Sequence, residues 1–199
     1  MSHADHIELI EHMFEAHGDQ CYNGELEEPV SALAHALQCA QLAEWADASP
    51  TLVAAALLHD IGHFMAALSL DDQTADDHEQ RAWPLLMQTF GPAVAEPVRL
   101  HVAAKRYLML RSTGYAARLS PASQQTLAVQ GGPMSEDEAA AFLLAPYAEQ
   151  ALALRRWDDQ AKVRGKRTPP LSYYLVMLDQ LGQSRPPAPL LGIGALDVS

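Results

Sequence analysis

Seven apolar residues in a row, Leu52 to Leu58, run straight into His59-Asp60, and no other stretch limits the fold so strongly. Ser49-Pro50 stands ahead of them, a capping residue followed by proline at a first helical position, so the run opens as a helix. A helix that is apolar nearly all round has no face to give to water and belongs at the centre of a bundle. It is far too short for the roughly 20 residues a membrane span requires, and no other segment comes closer. Ala and Leu dominate the chain, β-branched residues are sparse, and nowhere is there sustained period-two alternation. The class expected is all-α.

Around this centre the pattern places further helices. One runs from about Ala4 to Ala16, with Ile7, Ile10, Met13 and Phe14 on one face and Gly18 closing it. A second starts near Pro29 and turns Val30, Leu33, Leu37 and Leu42 inward. The acidic stretch Asp71 to Asp77 reads as a loop leading into a helix from His78 to Phe90, and Gly91-Pro92 starts another that reaches about Tyr107. Residues Thr113 to Pro133, punctuated by Gly and Pro, read as a long irregular connection, a kind of segment that often carries function. Ser135 and Glu138 form a capping-box pattern opening a helix that passes Pro146 with a kink and continues to about Lys162. A last helix covers about Ser172 to Leu181. The organisation expected is one domain over residues 1–184 and a loosely ordered Pro-rich tail over 185–199.

Charge narrows the function classes. With 13 Lys+Arg against 25 Asp+Glu the net charge is −12, which speaks against a nucleic-acid partner. The only cysteines, Cys21 and Cys39, show no CxxC spacing, so neither structural zinc nor a disulfide framework is expected and a reducing compartment is. The opening MSHADHIELIEHMFE carries acid where a signal peptide needs a basic head and an apolar run, so a cytoplasmic protein without a membrane partner is expected.

Histidine placement carries the chemistry. His3, His6, His12 and His17 fall on a polar N-terminal helix without an acidic partner pattern and are expected at the solvated surface. Asp60, at the end of a buried helix, needs a cation, since burying an unpaired charge costs on the order of several kcal/mol. A metal supplies one; the plainer alternative is a structural histidine beside an aspartate that caps a neighbouring helix. His35 on the preceding helix, His78 and His101 on following ones, and Asp158 on a later one favour the metal, because imidazole and carboxylate together suit first-row transition metals. Asp159 adjoins Asp158 and leaves the choice between them to motif position.

The order His35, His59-Asp60, His78, His101, Asp158 resembles the HD-domain superfamily, whose members build a mono- or dinuclear metal site at the centre of an α-helical bundle. The resemblance covers residues 22 to 162. It implies a first metal on His35, His59, Asp60 and Asp158, and a second on the bridging Asp60 with His78 and His101.

Four segments look like a narrower branch, the mixed-valent di-iron oxygenases that cleave carbon–phosphorus bonds of 1-hydroxyalkylphosphonates. They are Tyr22-Asn23-Gly24-Glu25 ahead of Glu28-Pro29-Val30-Ser31, the His59-Asp60-Ile61-Gly62-His63 block, the stretch His101 to Leu108, and the stretch Leu127 to Met134. The branch implies two Fe ions as Fe(II)/Fe(III), O2 as co-substrate, and a small organophosphonate such as 2-amino-1-hydroxyethylphosphonate or its trimethylammonio analogue. The products would be phosphate with glycine or glycine betaine. His59 with His63, and His101 with Lys105, are i,i+4 pairs that place a ligand and a second polar group one turn apart on one face. Phosphonate oxygens could meet Lys105 and His63 there; Lys105 as a snorkelling surface lysine is the alternative. By resemblance Ser123 and Thr126 complete the phosphonate pocket, and Tyr22 with a loop glutamate closes over the second iron until substrate displaces them. The family form runs Tyr-x-Gly-Glu straight into x-Val-Ser, whereas this chain is three residues longer, so Glu25 or Glu28 takes that role. The Gln-x-Glu common before the first histidine is replaced by Ala32-Leu33-Ala34. Two other functions use the same ligands: a metal-dependent phosphohydrolase acting on a nucleotide or other phosphomonoester, and a non-catalytic ligand-binding module. The oligomeric state is not legible.

Overall fold

The apolar run becomes helix α3 (Pro50–Leu58), capped where Ser49 Oγ accepts from the Leu52 amide, with Pro50 in its first turn. Val53 through Leu58 are all buried, and the helices α2 (Ala32–Trp45), α6 (Pro92–Arg111), α9 (Ala148–Gln160) and α10 (Leu171–Gln183) pack around them. The computed structural model describes residues 1–20, 30–67 and 77–184. Among these it forms α1 (His3–His17), α4 (Gly62–Ala67), α5 (His78–Thr89), α7 (Pro121–Val129), α8 (Glu136–Leu144) and a 3-10 turn at Ala116–Arg118 besides the helices already given, and no strand. The all-α architecture expected of the sequence is therefore the observed one.

Two apolar clusters hold it together. The larger joins α1, α2, α3, α4, α5, the first half of α6, Leu154 of α9, and α10. The smaller gathers Leu100, Ala104 and Leu108 of α6 with Tyr115, Leu119, Met134, Phe142 and the first half of α9. Helices α6 and α9 run through both, so residues on them can be fixed from two sides.

Several local expectations need correction. Helix α2 begins at Ala32 with Ser31 as its cap, not near Pro29, which lies outside the described residues. Helix α6 extends four residues past Tyr107, to Arg111. The segment from Thr113 to Pro133 is not irregular: Ser120 caps Ser123 and Pro121 occupies the first turn of α7, the same start signal as Ser49-Pro50. The capping box at Ser135 and Glu138 forms, but the helix it opens does not pass Pro146. It stops at Leu144, and α9 starts afresh after Tyr147, whose φ of 66° no helix accommodates. Nor are all four N-terminal histidines at the surface. His6 is buried, its Nδ1–H donating to Thr89 Oγ1 at 3.0 Å while that hydroxyl donates to the Leu85 carbonyl. His3 is half-buried against the Asp179 carbonyl of α10. A polar helix gained a buried histidine because α5 and α10 close over it, a contact made far along the chain.

Candidate metal centre

Five helix ends and faces, from α2, α3, α5, α6 and α9, bring their side chains to one point at the end of α3. His59 follows the last residue of α3, and its Nδ1–H folds back onto the Ala56 carbonyl at 2.9 Å. His101 does the same on α6, onto Val98 O at 2.7 Å, and His35 of α2 donates to Ala161 O, just past α9, at 3.0 Å. With the ring proton spent on a backbone carbonyl, each Nε2 presents a lone pair. The lone pairs of His35 and His59 face each other with their Nε2 atoms 3.3 Å apart, and His101 Nε2 faces His78 Nε2 at 3.2 Å. Two acceptors cannot bond each other, so the His35–His59 pair asks for a cation between its members, and the His78–His101 pair has the same spacing. Nitrogens about 2.1 Å from one shared metal stand about 3.0–3.4 Å apart at ordinary ligand angles.

Asp60 sits between the two pairs. Its Oδ2 is 3.1 Å from His59 Nε2 and 3.7 Å from His35 Nε2, while its Oδ1 is 3.3 Å from His78 Nε2 and 3.7 Å from His101 Nε2. Each oxygen thus serves one imidazole pair, the disposition of a bridging carboxylate. Asp158 adds Oδ1 at 3.4 Å from His35 Nε2 and Oδ2 at 3.9 Å from His59 Nε2. Asp159 turns away to Tyr115, so geometry separates the adjacent aspartates in favour of Asp158. The donor set fits a pair of first-row metal ions.

Electrostatics describe the same demand for positive charge. Burial opposes the charge of Asp60, yet His59 and His78 hold its carboxyl well below the ordinary value. Burial likewise opposes Asp158, which Arg155 and His35 hold well below. Burial lowers His59 but Asp60 outweighs it, leaving that imidazole above its usual value. His101 is pushed down to about 3, first by burial and then by His78 and His59. The cluster keeps its carboxylates ionised and refuses a proton at His101, the condition in which ligands stay free for a metal.

Local sequence explains the placement. Gly62 opens α4 against α5 so closely that a Cβ there would overlap the His78 carbonyl oxygen, so glycine is what lets His78 approach Asp60. The His63 ring stacks on that of His78 with centroids 3.9 Å apart. His59 and His63 do not share a helix face as expected: α3 has ended and α4 has begun between them. Gln38, one turn after His35, exchanges two 3.0 Å bonds with the Val163 backbone and ties α2 to the segment after Asp158. Cys39 is buried with Sγ 3.7 Å from His35 Nε2, and burial raises its thiol well above the usual value, so it is a neutral neighbour.

A polar flank lies beside the cage. Lys105 is not at the surface: it is only 2% exposed, and its Nζ donates to Thr126 Oγ1 and Gln130 Oε1, both at 2.8 Å. Lys162 Nζ reaches Ser120 Oγ at 3.1 Å and Ser123 Oγ at 3.4 Å. Thus α7 receives two cations, Thr126 from Lys105 of α6 and Ser123 from Lys162, just past α9. Gln130, Ser120 and Lys162 were missed by the sequence reading. The available signal for Lys162 was its spacing of four from Asp158, the same as that of Lys105 from His101. Tyr22, Glu25 and Glu28 lie outside the described residues.

The HD domain family matches residues 32–129. A hydroxymethylphosphonate dioxygenase of Gimesia maris is 44% identical over 167 residues, 81% of each chain. A glycine-betaine-forming [1-hydroxy-2-(trimethylamino)ethyl]phosphonate dioxygenase of Leisingera caerulea is 38% identical over 178 residues, 88% of this chain and 89% of its own. An uncharacterised protein of Acanthamoeba polyphaga mimivirus is 34% identical over 184 residues, 89% of this chain and 83% of its own. With its helical bundle and its histidine–aspartate cluster, the chain belongs to the HD-domain superfamily, and within it to the enzyme branch in which these dioxygenases stand.

Proposed function

We propose that this protein is a di-iron oxygenase that cleaves the carbon–phosphorus bond of a small 1-hydroxyalkylphosphonate with O2. One observation carries the reading: a cage of four imidazoles and two carboxylates stands beside a buried lysine, Lys105, one turn along α6 from His101. Two irons on His35, His59, Asp60, Asp158, His78 and His101 would supply activation of O2 and a Lewis acid for the C1 hydroxyl.

The chain's own groups bind and orient. Lys105 Nζ exchanges its bonds to Thr126 and Gln130 for phosphonate oxygens, and those two side chains turn to the same anion. Ser123, with Lys162 behind it, supplies a further hydroxyl, and His63, stacked on His78, faces the substrate from α4. The buried setting of Lys105 strengthens its pull on an anion by keeping water away. A net charge of −12 repels an anion at long range, so capture depends on these local groups and loses little at high salt.

For the substrate itself, hydroxymethylphosphonate comes first. The 44% identical relative is named for it, and Ala32-Leu33-Ala34 offers no carboxylate before His35 to receive an amine. The balance is HOCH2PO3H2 + O2 giving formic acid and phosphoric acid. The test is to incubate iron-loaded protein with hydroxymethylphosphonate, 2-amino-1-hydroxyethylphosphonate and its trimethylammonio analogue, with and without O2. Expected is O2-dependent phosphate release with formate from the first. Glycine or glycine betaine as the preferred product would move the assignment to an aminated substrate. Phosphate release from phosphomonoesters without O2, and none from phosphonates, would hand the site to hydrolysis.

A further inference from the structure

Behind Asp158 lies a buried charged group that the reading above leaves unused. Arg155, only 3% exposed, divides its guanidinium three ways. One terminal nitrogen is 2.7 Å from Asp158 Oδ2, the other bonds Asp159 Oδ1, and Nε donates to the Tyr115 hydroxyl at 3.2 Å. The Tyr115 hydroxyl in turn donates to Asp159 Oδ2 at 2.5 Å. Two carboxylates thus compete for one buried cation, and only Asp158 also faces the imidazoles.

We propose that Tyr115 and Asp159 are positioning residues that act through Arg155 to set how much negative charge Asp158 keeps for the metal pair, and so tune its reduction potential and affinity. The proposal rests on Asp158 being a metal ligand. A carboxylate that shares its arginine is less fully neutralised than one that has it alone. Asp159 draws part of Arg155 away from Asp158, and the Tyr115 hydroxyl limits that draw by satisfying Asp159 from the other side. Tyr115 also stands five residues before Ser120, the cap of α7, so the chain leading into the helix that bears Ser123 and Thr126 is bonded to Asp159 and to the Arg155 that pairs with Asp158.

Opposite signs follow. In Asp159→Asn, Arg155 falls to Asp158 alone, the ligand donates less, the reduction potential rises and divalent metal binds more weakly. In Tyr115→Phe, Asp159 loses its donor and takes more of Arg155, Asp158 is left more negative, the potential falls and divalent metal binds more tightly. A role in folding alone would move both variants the same way.

The test is an anaerobic redox titration of the iron-loaded protein, followed by the spectrum of the bound metal, beside Co(II) binding to the metal-free protein. Expected is a raised potential and about tenfold weaker Co(II) binding in Asp159→Asn, the reverse shifts in Tyr115→Phe, and values near wild type in Asp159→Glu, which keeps the charge. Shifts of the same sign in Tyr115→Phe and Asp159→Asn, or none with metal retained, would overturn the proposal. If Asp159→Asn does not fold, Tyr115→Phe alone decides: a lowered potential with full metal content supports it, and an unchanged or raised one overturns it. Wild-type protein that takes up iron but releases no phosphate from any phosphonate would sink the proposed reaction while leaving these signs to be read.

Discussion

The histidine–aspartate cage and the lysine-bearing flank are joined along α6, where Lys105 follows His101 by one turn, yet they are built differently. Three of the four cage imidazoles are pinned through Nδ1 to backbone carbonyls, and the helices that carry the cage are the buried ones. The flank hangs on α7, nine residues long, in which Ala122 is the one buried position. Its hydroxyls and the Gln130 amide that follows it meet the two lysines through side-chain bonds. The cage has three of its rings held by the backbone, while the flank satisfies its cations with side-chain partners, which under the proposed function a phosphonate replaces. Preorganised ligands and exchangeable anion contacts are separable by mutation.

The largest effect is expected at Asp60, the group that the proposed function gives to both metal positions. Asp60→Ala leaves four buried imidazoles without their common carboxylate; bound metal falls from two equivalents to one or none and turnover by more than about 100-fold, beyond what changes outside the ligand set cost. Elemental analysis with a phosphate-release assay checks it. Gly62→Ala forces α4 and α5 apart at His78 and costs about 1–3 kcal/mol as overpacking does. Denaturant unfolding should show that loss, with metal content reduced at the second position only.

Lys105→Met keeps the stem and removes the charge, so the flank fails while the cage stands. KM rises about 10- to 100-fold, the loss of a charge-assisted bond, with both metals retained. Metal loss in this variant would merge the two regions and end the comparison. The smallest effect lies away from both. Burial lowers His6 below its ordinary 6.5, so its neutral form contributes stability above that pH, and the contribution is lost as pH falls below 6.5 towards the folded value. Melting temperature should drop between pH 7.5 and 5, and drop less in His6→Gln, a difference on the order of 1 kcal/mol or below.

The cage was more legible than the flank, and for physical reasons. An aspartate two residues past a strongly apolar helix suggested a demand for a cation at Asp60, and the spaced histidines are the groups the structure gathers around it. The flank depends on α7, which Gly and Pro disguised as a loop although Ser120-Pro121 repeats the start signal of α3. The break at Tyr147 turns on one positive φ, which a tyrosine does not advertise. His6 went inside because α5 and α10 arrive from far along the chain, and no local pattern encodes that arrival. His63 stands stacked on His78 after a turn, not on one helix face with His59 as its spacing suggested, because the helix breaks between the two.

The central claim is that Asp60 divides six ligands between two metal positions. Anaerobic titration of the metal-free protein with Fe(II), read as equivalents bound per chain, tests it most directly. Two equivalents are expected for the wild type and one for His78→Ala. A single equivalent in the wild type, unchanged by His78→Ala, would contradict the claim.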